Sequence, residues 1–69
     1  MKISLENCNL PGPMNWLAFV ICSDKMRDTL TVEDLGILPS AHGANAKEAL
    51  ERLLVEIGEC PIPFDKLML

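Results

Sequence analysis

The sequence predicts an α+β domain in which a small antiparallel sheet is covered on one face by one amphipathic helix. Three observations predict this class: alternating or apolar segments in the first half, a helical apolar stripe after residue 45, and turn residues between them. The expected element order is β-β-β-α. At 69 residues, the chain has room for a single small domain spanning residues 1–69.

The first two strands are predicted from the alternation of their side chains. Residues 2–7 place Ile3 and Leu5 on one face and polar side chains on the other, as in a half-buried strand. Residues 10–13, Leu-Pro-Gly-Pro, predict a turn because prolines interrupt a strand ladder. Residues 15–23 are apolar on both faces, which is typical of a central strand covered from both sides.

The middle of the chain carries weaker signals. The polar residues 23–28 predict a turn, and the alternating residues 29–32 predict the third strand. Residues 31–35 fit a short helical turn equally well. Residues 36–43 are expected to form a connection, with a short extended piece at residues 37–38.

The helix is the clearest element, predicted over residues 46–57. Its apolar residues follow one stripe of a 3.6-residue period, namely Ala46, Ala49, Leu50, Leu53, Leu54 and Ile57. Asn45 stands at the N-cap, and Glu48 is its expected capping-box partner. Glu48 and Arg52 form a favourable i,i+4 pair. Gly58 is expected to end the helix in a left-handed conformation.

The second strand is apolar on two faces, whereas one helix covers only one. Its two rows are Trp16, Ala18, Val20 and Cys22 on one side and Leu17, Phe19 and Ile21 on the other. An uncovered row would form an apolar patch, and such patches mark interaction surfaces. The alternative is that the proline-rich loops and the apolar tail cover the second face. That tail, residues 62–69, is expected to add a fourth strand or to pack across a sheet edge.

The net charge limits the classes of partner that the chain is expected to bind, and the cysteines indicate the cellular compartment. Six Lys/Arg against ten Asp/Glu give a net charge of −4, which argues against direct nucleic-acid binding. The longest apolar run, residues 16–22, is too short for a membrane span or a signal peptide. Cys8, Cys22 and Cys60 form an odd set without a CxxC pair. We therefore expect reduced thiols in the cytoplasm and no metal site.

Nothing in the sequence predicts an enzyme or a cofactor. Catalysis by a serine or cysteine needs a neighbouring general base, and the chain offers only the single histidine His42, which lies in a predicted loop. Glu33 and Asp34 form an acidic pair, but the EF-hand spacing for calcium is missing. Asn45 and Glu48 occupy the helix N-terminus, where an anion would otherwise bind.

The helix start resembles that of the HicB antitoxin domains. Residues 43–50, Gly-Ala-Asn-Ala-Lys-Glu-Ala-Leu, are similar to the family's G-D-T-x-E-E-A-L motif, and residues 16–21 are similar to its apolar second strand. The resemblance spans residues 15–57 and implies a partial ribonuclease-H-like fold that grips another protein. Ser40 replaces a family glycine, and residues 24–36 resemble an insertion. The family's DNA-binding module has no counterpart here, so operator binding does not carry over.

These observations favour a cytoplasmic, non-enzymatic module that inhibits or sequesters a partner protein and self-associates as a homodimer through a sheet face. An antitoxin-like protein fits, and so does a phage-encoded inhibitor of a host nuclease or CRISPR complex. The candidate partner-binding residues are Trp16, Phe19, Glu33, Asp34, Glu48 and Glu51. Their carboxylates would offer negative charge to a basic cleft, unless they only form a solvated face.

The alternative function comes from a different class. A small-molecule-binding protein or enzyme accessory subunit could form its pocket between protomers, with His42 and Cys22 as polar anchors. Such a protein would gain thermal stability when its ligand binds, because the ligand stabilises only the folded state.

Overall fold

A computed structural model describes residues 1–9 and 12–69 and has an α+β architecture. The three strands form one antiparallel sheet in the order β1-β2-β3. They are β1 (Ile3–Asn7), β2 (Trp16–Val20) and β3 (Ser40–Gly43). The helices are α1 (Asp24–Thr29), α2 (Val32–Gly36), α3 (Ala46–Glu59) and α4 (Phe64–Leu67). The predicted fold class, with an amphipathic helix packed on the sheet, is confirmed.

The register of the sheet defines an inner and an outer face. Ala18 of β2 lies opposite Leu5 of β1 and Ala41 of β3, and these three side chains belong to the inner face. Helix α3 packs on that face, mainly along β3 and β2. Ala18 and Val20 are accordingly buried in the core.

Helix α3 confirms the predicted N-terminus and corrects the predicted end. The Oδ1 atom of Asn45 accepts a hydrogen bond from the Glu48 N–H at 2.8 Å, as expected of an N-cap. The buried stripe is Ala49, Leu53 and Ile57. The prediction that Gly58 ends the helix is wrong, because the helix continues to Glu59 and Cys60 caps it. The burial of Ile57 in the core holds the last turn of α3 and outweighs the weak helix propensity of Gly58.

The predicted turn at residues 23–28 and the predicted strand at residues 29–32 are both wrong. Ser23 instead caps α1, with its Oγ accepting the Met26 N–H at 3.2 Å. Thr31 caps α2 in the same way, accepting the Asp34 N–H at 3.1 Å. The alternative helical turn at residues 31–35 is therefore confirmed. Two serine or threonine caps and the burial of Met26 favour helices over the β-branched alternation that suggested a strand.

The third strand and the tail also differ from expectation. The strand lies at Ser40–Gly43, within residues predicted to be connection. The tail forms α4 instead of a fourth strand, and it docks Leu67 and the preceding Ile62 in the core. The expected turn at residues 10–13 falls partly outside the described residues. In its described half, Gly12 has φ of +112°, a backbone conformation suited to glycine.

None of the helices in the described part of the chain has the length and apolar character needed to cross a membrane.

Candidate protein-binding face

The outer face of the sheet carries an apolar row from β2. Leu17 and Phe19 lie in this row and are half-buried, with neither belonging to the core cluster. Ile21 continues the row just past the strand, where its N–H still donates to the Lys2 carbonyl at 2.9 Å. The Ile21 side chain is 40% exposed. We call Leu17, Phe19 and Ile21 the outer apolar row.

No helix of the described residues packs on the outer apolar row, because the extensive helix packing on the sheet is on its other face. Helix α3 contacts all three strands from the inner side, whereas α1 packs against α4. The inner row contains Trp16, Ala18 and Val20, and these residues join the core or pack against it. The structure thus decides which row of the two-faced strand meets the helix.

Polar side chains border the outer apolar row on both sides. Phe19 lies between Ser4 of β1 and Ser40 of β3, and Leu17 lies between Glu6 and His42. Phe19 is half-buried between these small cross-strand neighbours. An apolar centre with a polar border is typical of a protein-interaction surface.

Ile21, at one end of the outer apolar row, lines a groove of about 410 Å³ that has both polar and apolar lining. Met1 and Leu69 are among its apolar lining residues, and Lys2 and Asp24 are among its polar ones. Half-exposed apolar side chains of the C-terminal segment, Phe64 and Met68, lie close along the chain. The candidate site therefore extends from the sheet towards both chain ends.

Trp16 and Phe19, both predicted to bind a partner, lie on opposite faces of the sheet. Trp16 pairs with Gly43 on the inner face, where it is half-buried and packs against the core. Phe19 is on the outer face. A partner seated on the outer apolar row contacts Phe19, whereas Trp16 serves the packing of the sheet on α3.

Two of the four predicted acidic residues lie on α3, away from the outer face. Glu48 pairs with Arg52 at 3.0 Å, and Glu51 lies 4.0 Å from Lys47, both pairs along α3 on the inner side of the sheet. The other two, Glu33 and Asp34, are in the first turn of α2, where the helix dipole stabilises acidic side chains. The structure therefore separates Glu48 and Glu51 from Phe19 by the sheet.

The predicted anchors of a small-molecule pocket lie in different grooves of one chain. His42 is exposed and lines a groove of about 340 Å³ beside Met14 and Arg52. Cys22 lines the groove at the end of the outer apolar row. Within residues 1–9 and 12–69, no group of three His, Cys, Asp or Glu side chains converges as metal ligands do.

Leu17 and Ile21 were not among the predicted site residues, although the sequence contained their signal. Strict alternation along β2 places both on the same face as Phe19. No pattern in the sequence predicts that Met1 and Leu69 line the same groove, because only the docking of α4 brings the two chain ends together.

We expect substitutions of the two aromatic residues of β2 to lower the stability by different amounts. Trp16→Arg inserts a cation against the core, and we expect a loss of at least about 2 kcal/mol of unfolding free energy. Phe19→Asp changes a half-buried residue on the face where no described helix packs, so we expect a smaller loss than for Trp16→Arg. Urea unfolding of both variants measures the difference. Equal losses would contradict the assignment of the two faces.

Compared with protein-family models, curated proteins and solved structures, the chain matches none of them. The resemblance to HicB antitoxin domains therefore stays a prediction.

Proposed function

We propose that the chain is a non-enzymatic protein-binding module that sequesters or inhibits a partner protein seated on the outer apolar row. The observation that carries the proposal is a sheet with helix packing on one face: α3 packs on the inner row, whereas no described helix packs on the half-buried Leu17 and Phe19 or the exposed Ile21. Binding is favourable when a partner removes the apolar side chains of this row from water.

Phe19 is the expected centre of the contact. Aromatic residues near the middle of an interface dominate binding energy when surrounding groups exclude water. The flanking serines leave room for a partner's side chain against the ring, and Glu6 and His42 supply polar groups at the border. The partner should therefore present an apolar patch with hydrogen-bonding groups around it.

Two further features support the proposed role. The net charge of −4 favours a partner with a basic surface. The helix start similar to that of HicB antitoxin domains suggests an antitoxin-like inhibitor, with a phage-encoded inhibitor of a defence nuclease as a related form. Cys8, Cys22 and Cys60 are free thiols, which fits our proposed cytoplasmic location.

Capture of a partner from the native host tests the proposal. The tagged full-length chain is compared with Phe19→Asp and with a matched control, Val32→Asp, whose parent side chain is 86% exposed on α2. We expect a protein that wild type and the control retain equally and that Phe19→Asp retains at least about tenfold less, because a central aromatic contact is lost. The captured protein is then purified and its affinity for the three chains is measured by calorimetry.

The control separates loss of the contact from loss of the fold. Thermal unfolding must show that both aspartate variants are folded at the capture temperature. A captured protein that binds Phe19→Asp as tightly as wild type would overturn the assigned face. Failure to retain any protein above the level of an unrelated acidic domain would overturn the proposed function.

A further inference from the structure

The sheet has two outer edges, and the β1 edge has free backbone hydrogen-bonding groups. The Ile21 N–H donates to Lys2 and the Cys8 N–H donates to Asn15. Because bonded and non-bonded pairs alternate in an antiparallel ladder, the even residues of β1 bond to β2. The N–H and C=O groups of Ile3, Leu5 and Asn7 therefore point away from the sheet.

The β3 edge is protected by a charged side chain. By the same alternation, starting from the bond between the Val20 N–H and the Pro39 carbonyl, the outward groups of β3 belong to Ser40 and His42. The Arg52 guanidinium donates to the His42 carbonyl at 3.2 Å and is held by Glu48 at 3.0 Å. Charged side chains at an edge hinder the addition of another strand.

Within the described residues, no side chain bonds to the outward backbone groups of β1, in contrast to Arg52 on the β3 edge. Strand β1 contains no proline, and the described backbone pairs with β2 without a bulge. Leu5, at its centre, is 40% exposed. An extended, unprotected edge with an exposed leucine is a site where a further strand can pair.

We propose that two copies of the chain pair through β1, antiparallel, around a two-fold axis at Ser4. In this register Lys2 lies opposite Glu6 of the second copy, and Ile3 lies opposite its Leu5. The Leu5 N–H donates to the Ile3 carbonyl across the axis. Two three-stranded sheets thereby become one continuous sheet.

Charge selects this register among the antiparallel ones. The outward backbone groups of one copy must bond to the outward groups of the other, so the two-fold axis passes through a residue of β1 and not between two residues. An axis at Glu6 would place two carboxylates opposite each other, which is unfavourable. An axis at Ser4 instead gives two symmetric pairs of Lys2 with Glu6, and both side chains are exposed on the outer face.

The pairing has a consequence for the partner-binding face. A two-fold axis perpendicular to the sheet keeps both α3 helices on one side, so both outer apolar rows lie on the other. The dimer thus offers two neighbouring copies of Leu17, Phe19 and Ile21. This inference goes beyond the proposed function, because the β1 edge is a different surface from the partner-binding face.

Sedimentation equilibrium of the purified chain at low ionic strength tests the pairing. We expect a wild-type dimer, and we expect Lys2→Glu or Glu6→Lys to raise the dissociation constant about tenfold, since two attractive pairs become repulsive. The double variant Lys2→Glu/Glu6→Lys should restore wild-type affinity. Glu33→Lys, the same charge change on α2, is the control and should leave the dimer unchanged.

A backbone variant tests the edge independently of charge. The Leu5 N–H points away from β2, so Leu5→Pro removes an edge donor and leaves the β1–β2 ladder bonds in place. We expect the dimer to weaken more than about tenfold because two hydrogen bonds are lost. Circular dichroism verifies the fold, and Glu6→Lys still tests the edge if the proline variant unfolds.

Three results would contradict the proposed pairing through β1, and each can be recognised separately. A wild-type monomer at high concentration overturns the proposal, as does a dimer whose dissociation constant is raised by neither Lys2→Glu nor Glu6→Lys. A dimer disrupted by Phe19→Asp but not by Glu6→Lys would show that the outer faces pair instead. Because these measurements use the chain alone, their failure leaves the partner-capture result unaffected.

Discussion

Gly43→Ala is expected to destabilise the domain strongly, because β3 and α3 approach each other most closely at this residue. A Cβ atom added at Gly43 would lie 2.9 Å from the Ala49 Cα and 2.9 Å from the Glu48 carbonyl carbon, and closer still to the Ala49 N. All of these are backbone atoms of the helix, so no side-chain rotation relieves the overlap. We expect a loss of about 3 kcal/mol or more in unfolding free energy.

Such a loss would be a large share of the total stability. A chain of this length typically has an unfolding free energy on the order of 3–10 kcal/mol. Urea unfolding followed by Trp16 fluorescence measures the change, because this indole packs beside Gly43 on the inner face. We expect the midpoint to fall sharply or the variant to be unfolded in buffer.

Gly58→Ala is the matched control for this substitution. Gly58 lies inside α3, and an added Cβ there has no atom within 4 Å. Alanine favours the helix by about 0.5–1 kcal/mol over glycine, so this variant should be more stable than wild type. A Gly43→Ala variant as stable as Gly58→Ala would show that α3 does not lie against β3 as described.

Leu53→Ala is expected to have the second large effect, because Leu53 lies at the centre of the buried stripe. Its side chain has 0% exposure and belongs to the core beneath the sheet. Truncation removes apolar contacts and leaves a cavity that the small domain can only partly fill. The expected loss is about 2–5 kcal/mol, measured by urea unfolding.

The neighbouring leucine provides the control. Leu54 is 55% exposed, and Leu54→Ala changes the same atoms on the same helix with an expected effect within about 0.5 kcal/mol. Similar losses for both variants would mean that a second molecule covers the outer side of α3. A larger loss for Leu54 would contradict the orientation of the helix.

The long helix and the two-faced strand were predictable because their signals are local. The N-cap Asn45 and the apolar stripe that specify α3 lie close together in the sequence. The alternation of β2 likewise separated Ala18 from Phe19 without knowledge of the fold. From these two elements the α+β class followed, because one helix covers one face of a sheet.

The short helices show where local signals compete. The sequence of α2 combines β-branched residues with the helix-capping Thr31, and pattern alone favoured both a strand and a helical turn. Helix α2 has no buried residue, but its Leu35 packs against the core, and this contact together with the Thr31 cap favours the helix. Tertiary packing regularly outweighs propensity in segments of this length.

The sequence by itself determined the α+β class, the helix α3 and its cap, and the division of β2 into two apolar rows. The tertiary structure alone decided that the row of Ala18 and Val20 meets α3 and that Phe19 remains outside. The reason is steric: Gly43 lies on the inner face and admits the helix backbone, whereas Ser40 and His42 lie on the other side. The edge strand β3 and the docked α4 also depend on such long-range contacts, which leave no periodic pattern in the sequence.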